Sequence, residues 1–118
     1  MAIPTSMLTI VNKNVNYQDF NDFISKDYHF KAVKDHLYSD LNGEAVVLSL
    51  KNGKYYGLNG VGASIWKTMQ TPITFKDIKT AVMQEYEVDD TTCDQEVMSF
   101  LQRMTEEELV EILNETTA

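Results

Sequence analysis

HLYSDLNGEAVVLSLKNGKYYGLN, residues 36–59, holds two Asn-Gly pairs, Asn42-Gly43 and Asn52-Gly53, ten positions apart. Asn and Gly tolerate positive φ at little cost, as a two-residue type I′ turn requires, and β-prone residues flank both pairs. Each pair predicts a tight hairpin, and the interval between them leaves room for one strand over residues 44–50. The expected unit is a three-stranded antiparallel meander over about 34–40, 44–50 and 54–58. Side chains alternate along a strand, so Val46, Leu48 and Leu50 share one face of the middle strand and Val47 and Ser49 the other. Three strands alone are marginal in water, and the apolar face needs a cover.

The residues that follow supply one. Asn59 is placed to cap a helix that carries Val61, Ile65 and Met69 at i, i+4 and i+8 beside Trp66, and Pro72 stops it. Thr74, with Asp77 three residues on, opens a second helix that buries Phe75, Ile78, Val82 and Tyr86. A third begins near residues 90–92 and stacks Cys93, Val97, Phe100, Leu101 and Met104 at helical spacing. TEEELVEIL, residues 105–113, reads as its continuation or as a fresh turn capped by Thr105. The expected fold class is α+β and winged helix-turn-helix-like, a meander followed by three helices, with the second and third helices as the pair and the meander as the wing.

Upstream, residues 1–32 read as an N-terminal extension to a domain over 33–113, and residues 114–118 as a frayed tail. In YQDFNDFI, residues 17–24, Phe20, Phe23 and Ile24 suit one or two amphipathic turns. So short a helix needs a surface to dock on. That surface is either its own domain or a partner chain.

Length and composition narrow the function. The 118 residues make one domain, 43% hydrophobic and 24% charged, within the globular range. Eighteen Asp and Glu against ten Lys and Arg give a net charge of -8, which repels a phosphate backbone. No apolar run approaches the roughly 20 residues of a membrane span. The single cysteine excludes an intramolecular disulfide and a thiolate zinc cluster, and the first residues, MAIPTSMLTIV, lack the features of a secretory signal, so a cytoplasmic setting is expected.

Catalytic constellations are missing. His29 and His36 stand seven residues apart without metal-ligand spacing. Cys93 falls on an apolar helical stripe, no serine has a nucleophile-elbow context, and GLNGVG, residues 57–62, gives no phosphate cradle. The acidic run at 106–108 reads as a solvated face. No metal, cofactor or catalytic residue is assigned, and the expected activity is binding.

One stretch is specific. DLNGEAVVLSLKNGKYYGLNGVGASIW, then a helix ending in EYEVDD, then a helix carrying DQEVMSFLQRM, closely resembles the PqqD family over about residues 36–112. The resemblance implies a non-catalytic recognition element for ribosomally made, modified peptides. Such a domain binds the leader of a precursor peptide and presents it to a modifying enzyme, a radical-SAM enzyme or a leader-removing protease. It further implies that the leader adds as an antiparallel strand to the third strand, here Lys54, Tyr55, Tyr56, Gly57 and Leu58. An open sheet edge offers unpaired N–H and C=O groups for this. Proline at Tyr56 or at Gly57 is expected to remove one such donor. Cys93, Val97, Met98 and Leu101 are the candidates for the wall of the groove, with Met98 one position off the stripe. The same open edge would also permit a homodimer.

The sequence departs from the family pattern in two places. Family members often have a glycine before the last apolar pair; here Glu108 stands before Leu109-Val110, which lets the third helix run on. The N-terminal extension is longer than a minimal family domain, which favours an accessory protein of a peptide-modifying system other than the pyrroloquinoline quinone pathway. The competing class is a winged-helix DNA-binding regulator. Against it, the third helix offers Arg103 and two glutamines beside Asp94, Glu96 and the 106–108 run, a field of the wrong sign.

Overall fold

The computed structural model describes residues 7–10, 20–41 and 44–115. In chain order these form β1 (Leu8–Ile10), α1 (Phe20–Ser25), β2 (His29–Ala32), β3 (His36–Leu41), β4 (Glu44–Ser49), β5 (Tyr55–Leu58), α2 (Gly60–Thr68), β6 (Ile73–Thr74), α3 (Phe75–Glu85), α4 (Asp90–Glu106) and β7 (Val110–Glu115). The architecture is mixed α+β with antiparallel strands. One sheet is β3-β4-β5 and the other is β1-β7-β2-β6.

The first sheet is the meander, with His36 opposite Ser49 and Val47 opposite Tyr56. Ala45, Val47, Tyr56 and Leu58 turn inward and are buried. The more apolar side of β4 turns outward instead, so that Leu37, Leu48 and Tyr55 form a cross-strand row on the solvent side. The second Asn-Gly pair does not make a two-residue turn. Of that pair only Gly53 has positive φ, 72°. The Ser49 carbonyl accepts from Gly53 N–H at 2.9 Å, and Ser49 N–H donates to the Lys54 carbonyl at 2.9 Å, so residues 50–53 form a four-residue loop. Asn52 contributes its side chain rather than its φ, since its Oδ1 accepts from Lys54 N–H at 2.8 Å. The first pair, Asn42-Gly43, lies outside the described residues.

Each of the three following helices opens on a side-chain cap. Asn59 Oδ1 accepts from Gly62 N–H at 2.7 Å, Thr74 Oγ1 from Asp77 N–H at 3.3 Å and Asp89 Oδ1 from Thr92 N–H at 2.7 Å. These caps satisfy backbone donors that a first turn leaves unpaired. Ile65 and Trp66 of α2, Ile78 and Val82 of α3, and Cys93, Val97, Leu101 and Met104 of α4 meet in one core. Lys79 of α3 grips α4 at two points, Asp90 at 2.6 Å and Asp94 at 2.9 Å. Hydrogen bonds to Asp90 and then Asp94 raise the pKa of its ammonium.

The chain after α4 corrects the sequence reading. Residues 105–113 do not continue as helix: α4 ends at Glu106 and residues 110–115 form β7. Asn114 and Glu115, expected to fray, are strand residues paired with Thr9 and Leu8. The physical reason sits at Glu108, which adopts φ 60°. Glu108 N–H donates to the Thr105 carbonyl at 3.0 Å and Leu109 N–H to the Met104 carbonyl at 2.8 Å, a Schellman ending that turns the chain out of the helix. Glutamate here takes the conformation usually left to glycine. α1 ends the same way, with Asp27 at φ 56° and Tyr28 N–H donating to the Phe23 carbonyl at 2.9 Å.

Because β7 returns along β2, the segment before residue 33 is built into the fold. Phe30 lies opposite Ile112, and Phe20 and Phe30 are both buried, their rings 5.7 Å apart. Burying one such ring stabilises by about 1.5–3 kcal/mol. The described part of YQDFNDFI therefore docks on its own domain; residues 17–19 lie outside the described residues.

Two predictions test these devices. Glu108→Gly removes a left-handed strain of about 1 kcal/mol and sacrifices only the exposed 3.1 Å pair with Lys51. It is expected to raise the urea midpoint; a lower midpoint would show that Glu108 is not strained. For Asp89, the Thr92 N–H first and its hydroxyl second hold the carboxyl below its ordinary pKa. A lowered pKa contributes stability that is full above the unfolded-state value and lost as pH falls through the folded one. Asparagine caps well but does not titrate. Thermal melts are expected to show wild type losing its advantage over Asp89→Asn as the pH drops below about 4, and an advantage that grew in acid would refute the assignment.

Candidate peptide-binding site

β5 ends its sheet, and among the described residues no strand pairs with its far side. Which of its backbone groups face outward follows from the register. Ser49 and Lys54 lie directly opposite and share a hydrogen bond. In an antiparallel ladder such pairs alternate with pairs whose groups point apart. Val47 with Tyr56 and Ala45 with Leu58 therefore bond to each other, whereas Tyr55 and Gly57, opposite Leu48 and Val46, turn their N–H and C=O groups to the free edge. The sequence-based expectation assigned Tyr56 an edge donor; the ladder spends that N–H on β4.

Beside this edge runs a groove of about 180 Å³. Gly57, Leu58 and Asn59 form one side, Val61, Gly62 and Ile65 of α2 its floor, and α4 the opposite wall through Glu96, Ser99, Phe100, Arg103 and Met104. Gly62 allows α2 and α4 to approach, since a Cβ there would stand 3.2 Å from both Phe100 Cε2 and Asn59 Oδ1. At the other end the hairpin is latched to the end of α4. The Tyr56 hydroxyl donates to Glu107 Oε2 at 2.7 Å and accepts from Asn52 Nδ2 at 3.2 Å, while Lys51 Nζ lies 3.1 Å from Glu108 Oε2. Inward-pointing Tyr56 thus ties β5 to α4, and outward-pointing Tyr55, 72% exposed, is left over the sheet's outer face.

Of the residues expected at the site, Lys54, Tyr55 and Gly57 are exposed on or beside the free strand, and Tyr56 and Leu58 point inward from it. The helical candidates are displaced. Cys93, Val97 and Leu101 are each 0% exposed and belong to the core, so they do not wall the groove. Burial, partly offset by Lys79, pushes the Cys93 thiol pKa up, which leaves it a poor nucleophile. Met98 is half-buried against the core, on the wrong flank. One residue turns a helix by about 100°, so Met98 lies on one side of Val97 and Glu96 on the other, the side that faces β5. The wall that sequence reasoning missed is Glu96, Ser99, Phe100 and Arg103, an i, i+3, i+4, i+7 set adjoining the buried stripe. Its signal was the one aromatic, Phe100, at the stripe's edge.

Among the described residues no group of three His, Cys, Asp or Glu side chains could hold a metal ion, and no helix is long and apolar enough to cross a membrane.

The geometry can be set beside known proteins. The chain is similar to TbiB1, whose structure was solved in complex with the TbiA(β) leader peptide, at 29% sequence identity and a TM-score of 0.61, covering 68% of this chain and 93% of that one. No curated protein shows significant similarity. The family model for coenzyme PQQ synthesis protein D (PqqD) matches residues 44–110, from β4 to the start of β7 and more than half of the chain. By that match the chain belongs to the PqqD family.

Proposed function

We propose that this protein binds the leader segment of a ribosomally made precursor peptide as an added antiparallel strand on β5 and presents it to a modifying enzyme. The observation that carries this reading is the pair of outward backbone positions, Tyr55 and Gly57, opening onto a groove walled by α4. Main-chain pairing supplies affinity and the groove reads side chains. At about 180 Å³ the groove is smaller than the about 300–1,000 Å³ of small-molecule sites, a size suited to individual side chains of an extended peptide. The likeness to TbiB1, a protein that holds a leader peptide, supports the same assignment.

In this reading the protein is a recognition module without chemistry of its own, and its partner is a radical-SAM enzyme or a leader peptidase. The α3–α4 pair with the meander is a winged helix-turn-helix turned to peptide binding. DNA binding is disfavoured by the charges α4 exposes, among which Asp90, Glu96 and Glu106 outnumber Arg103.

Proline scanning of β5 tests strand addition by calorimetric titration with synthetic leaders of precursor peptides encoded beside the gene. Gly57→Pro loses an outward N–H that the protein itself does not use, so the fold is expected to survive, as it does for edge prolines. Leader affinity should fall about tenfold or more, one main-chain bond and the bulk of the ring being lost together. Tyr56→Pro breaks the β4–β5 ladder and is expected to disrupt the hairpin itself. A folded Gly57→Pro variant that binds the leader as tightly as wild type would exclude addition at β5.

A further inference from the structure

The groove has a charge axis. Glu96 and Arg103 line it from the same face of α4 with Phe100 between them. Both are exposed, and among the described residues neither is in an ion pair, although Asp90 and Asp94 on the same helix are held by Lys79. Seven residues of helix put their Cα atoms roughly 10 Å apart along the groove.

The direction of this axis is fixed by the fold. Tyr56 bonds to Glu107, and Lys51 in the loop before β5 pairs with Glu108. The C-terminal end of α4 therefore sits at the N-terminal end of β5. Gly62, just beyond the C-terminal end of β5, lies against Phe100. α4 and β5 run in opposite senses, with Arg103 toward Tyr55 and Glu96 toward Leu58 and Asn59. A strand added antiparallel to β5 enters at the Leu58 end, passes Glu96 first and Arg103 last. Its alternate residues face α4, and positions i and i+4 are roughly 13 Å apart, a span that long charged side chains adjust to the helix.

We propose that the groove selects a peptide strand carrying a basic residue at i, an apolar residue at i+2 and an acidic residue at i+4, in that order from N- to C-terminus. Glu96 receives the base, Phe100 the apolar side chain and Arg103 the acid. The proposal rests on strand addition at β5 and deepens it. The two ion pairs are exposed and individually weak, so their role is to set direction and register and to reject the opposite order, in which both contacts become repulsive.

Two nonapeptides of identical composition test the axis, TTKTLTDTT and TTDTLTKTT, each acetylated and amidated and titrated by isothermal calorimetry up to about 1 mM, the affinity range of a weak complex. Wild type is expected to prefer the first by about tenfold at low ionic strength, the preference shrinking in concentrated salt. The double variant Glu96→Lys with Arg103→Glu keeps the net charge, alters only exposed positions and is expected to invert the preference. Equal binding of both peptides that is lost in Gly57→Pro would overturn the axis and leave strand addition standing. A wild-type preference retained by the double variant would overturn the assignment of Glu96 and Arg103. Binding of neither peptide by the folded wild type would overturn the axis together with the strand-addition reading.

Discussion

Every backbone N–H and C=O in a strand must find a partner or face water, and in an antiparallel ladder the two sides of a strand are served by alternate residues. This constraint divides β5. The hydrogen bond from Ser49 N–H to the Lys54 carbonyl sets the phase, after which Tyr56 and Leu58 belong to β4 and Tyr55 and Gly57 to whatever lies beyond. The same phase decides the side chains, because the residues that bond to β4 are also the ones that point into the core. Tyr56 therefore combines a spent backbone with a buried ring and a hydroxyl bonded to Glu107. Gly57 combines free backbone groups with no side chain, and a Cβ there would meet nothing within 4 Å.

The second wall depends on where α4 stops. Glu108 ends the helix by adopting φ 60°; Glu107, at the end of the helix just before it, reaches Tyr56, and Glu108 reaches Lys51. Without that turn β7 would be lost to β2, leaving Phe30 paired on one side only, with Ile73 of β6. The acidic run at 106–108 is thus partly structural. One carboxylate receives a tyrosine hydroxyl, the next pairs with an exposed lysine, and the backbone between them reverses direction.

Much of this was legible in the sequence. Capping residues are local chemistry, and Asn59 and Thr74 announce their helices through the donors that a first turn leaves unpaired, whereas the third helix, read as beginning near residues 90–92, is capped by Asp89. The meander was legible from β-prone runs separated by Asn-Gly pairs. What escaped was decided at longer range. Glu108 carries no propensity for positive φ, and the ending goes with the pairing of the residues after it to β2 and β1, which lie far away in sequence. The second sheet joins residues 8–10 and 29–32 to residues 110–115, pairings for which single strands of three to six residues leave almost no periodic signal. On α4 the apolar stripe was correctly placed, but a stripe marks the side that is buried. The side that faces β5 is its flank, and choosing between Met98 and Glu96 requires knowing on which side β5 lies.

An unpaired strand edge is ordinarily a route to aggregation, and the arrangement around β5 limits it by shape. The edge is four residues long, and α4 stands alongside it, so that an incoming chain has to fit between strand and helix. The open ladder offers pairing to any backbone, and α4 beside it narrows the approach. Gly62 sets that passage from beneath by letting Phe100 settle against α2, and the Tyr56–Glu107 bond holds it from the far end. Both contacts are made within the chain itself, so the walls of the groove are held in place by the fold alone, the condition under which a site is preorganised.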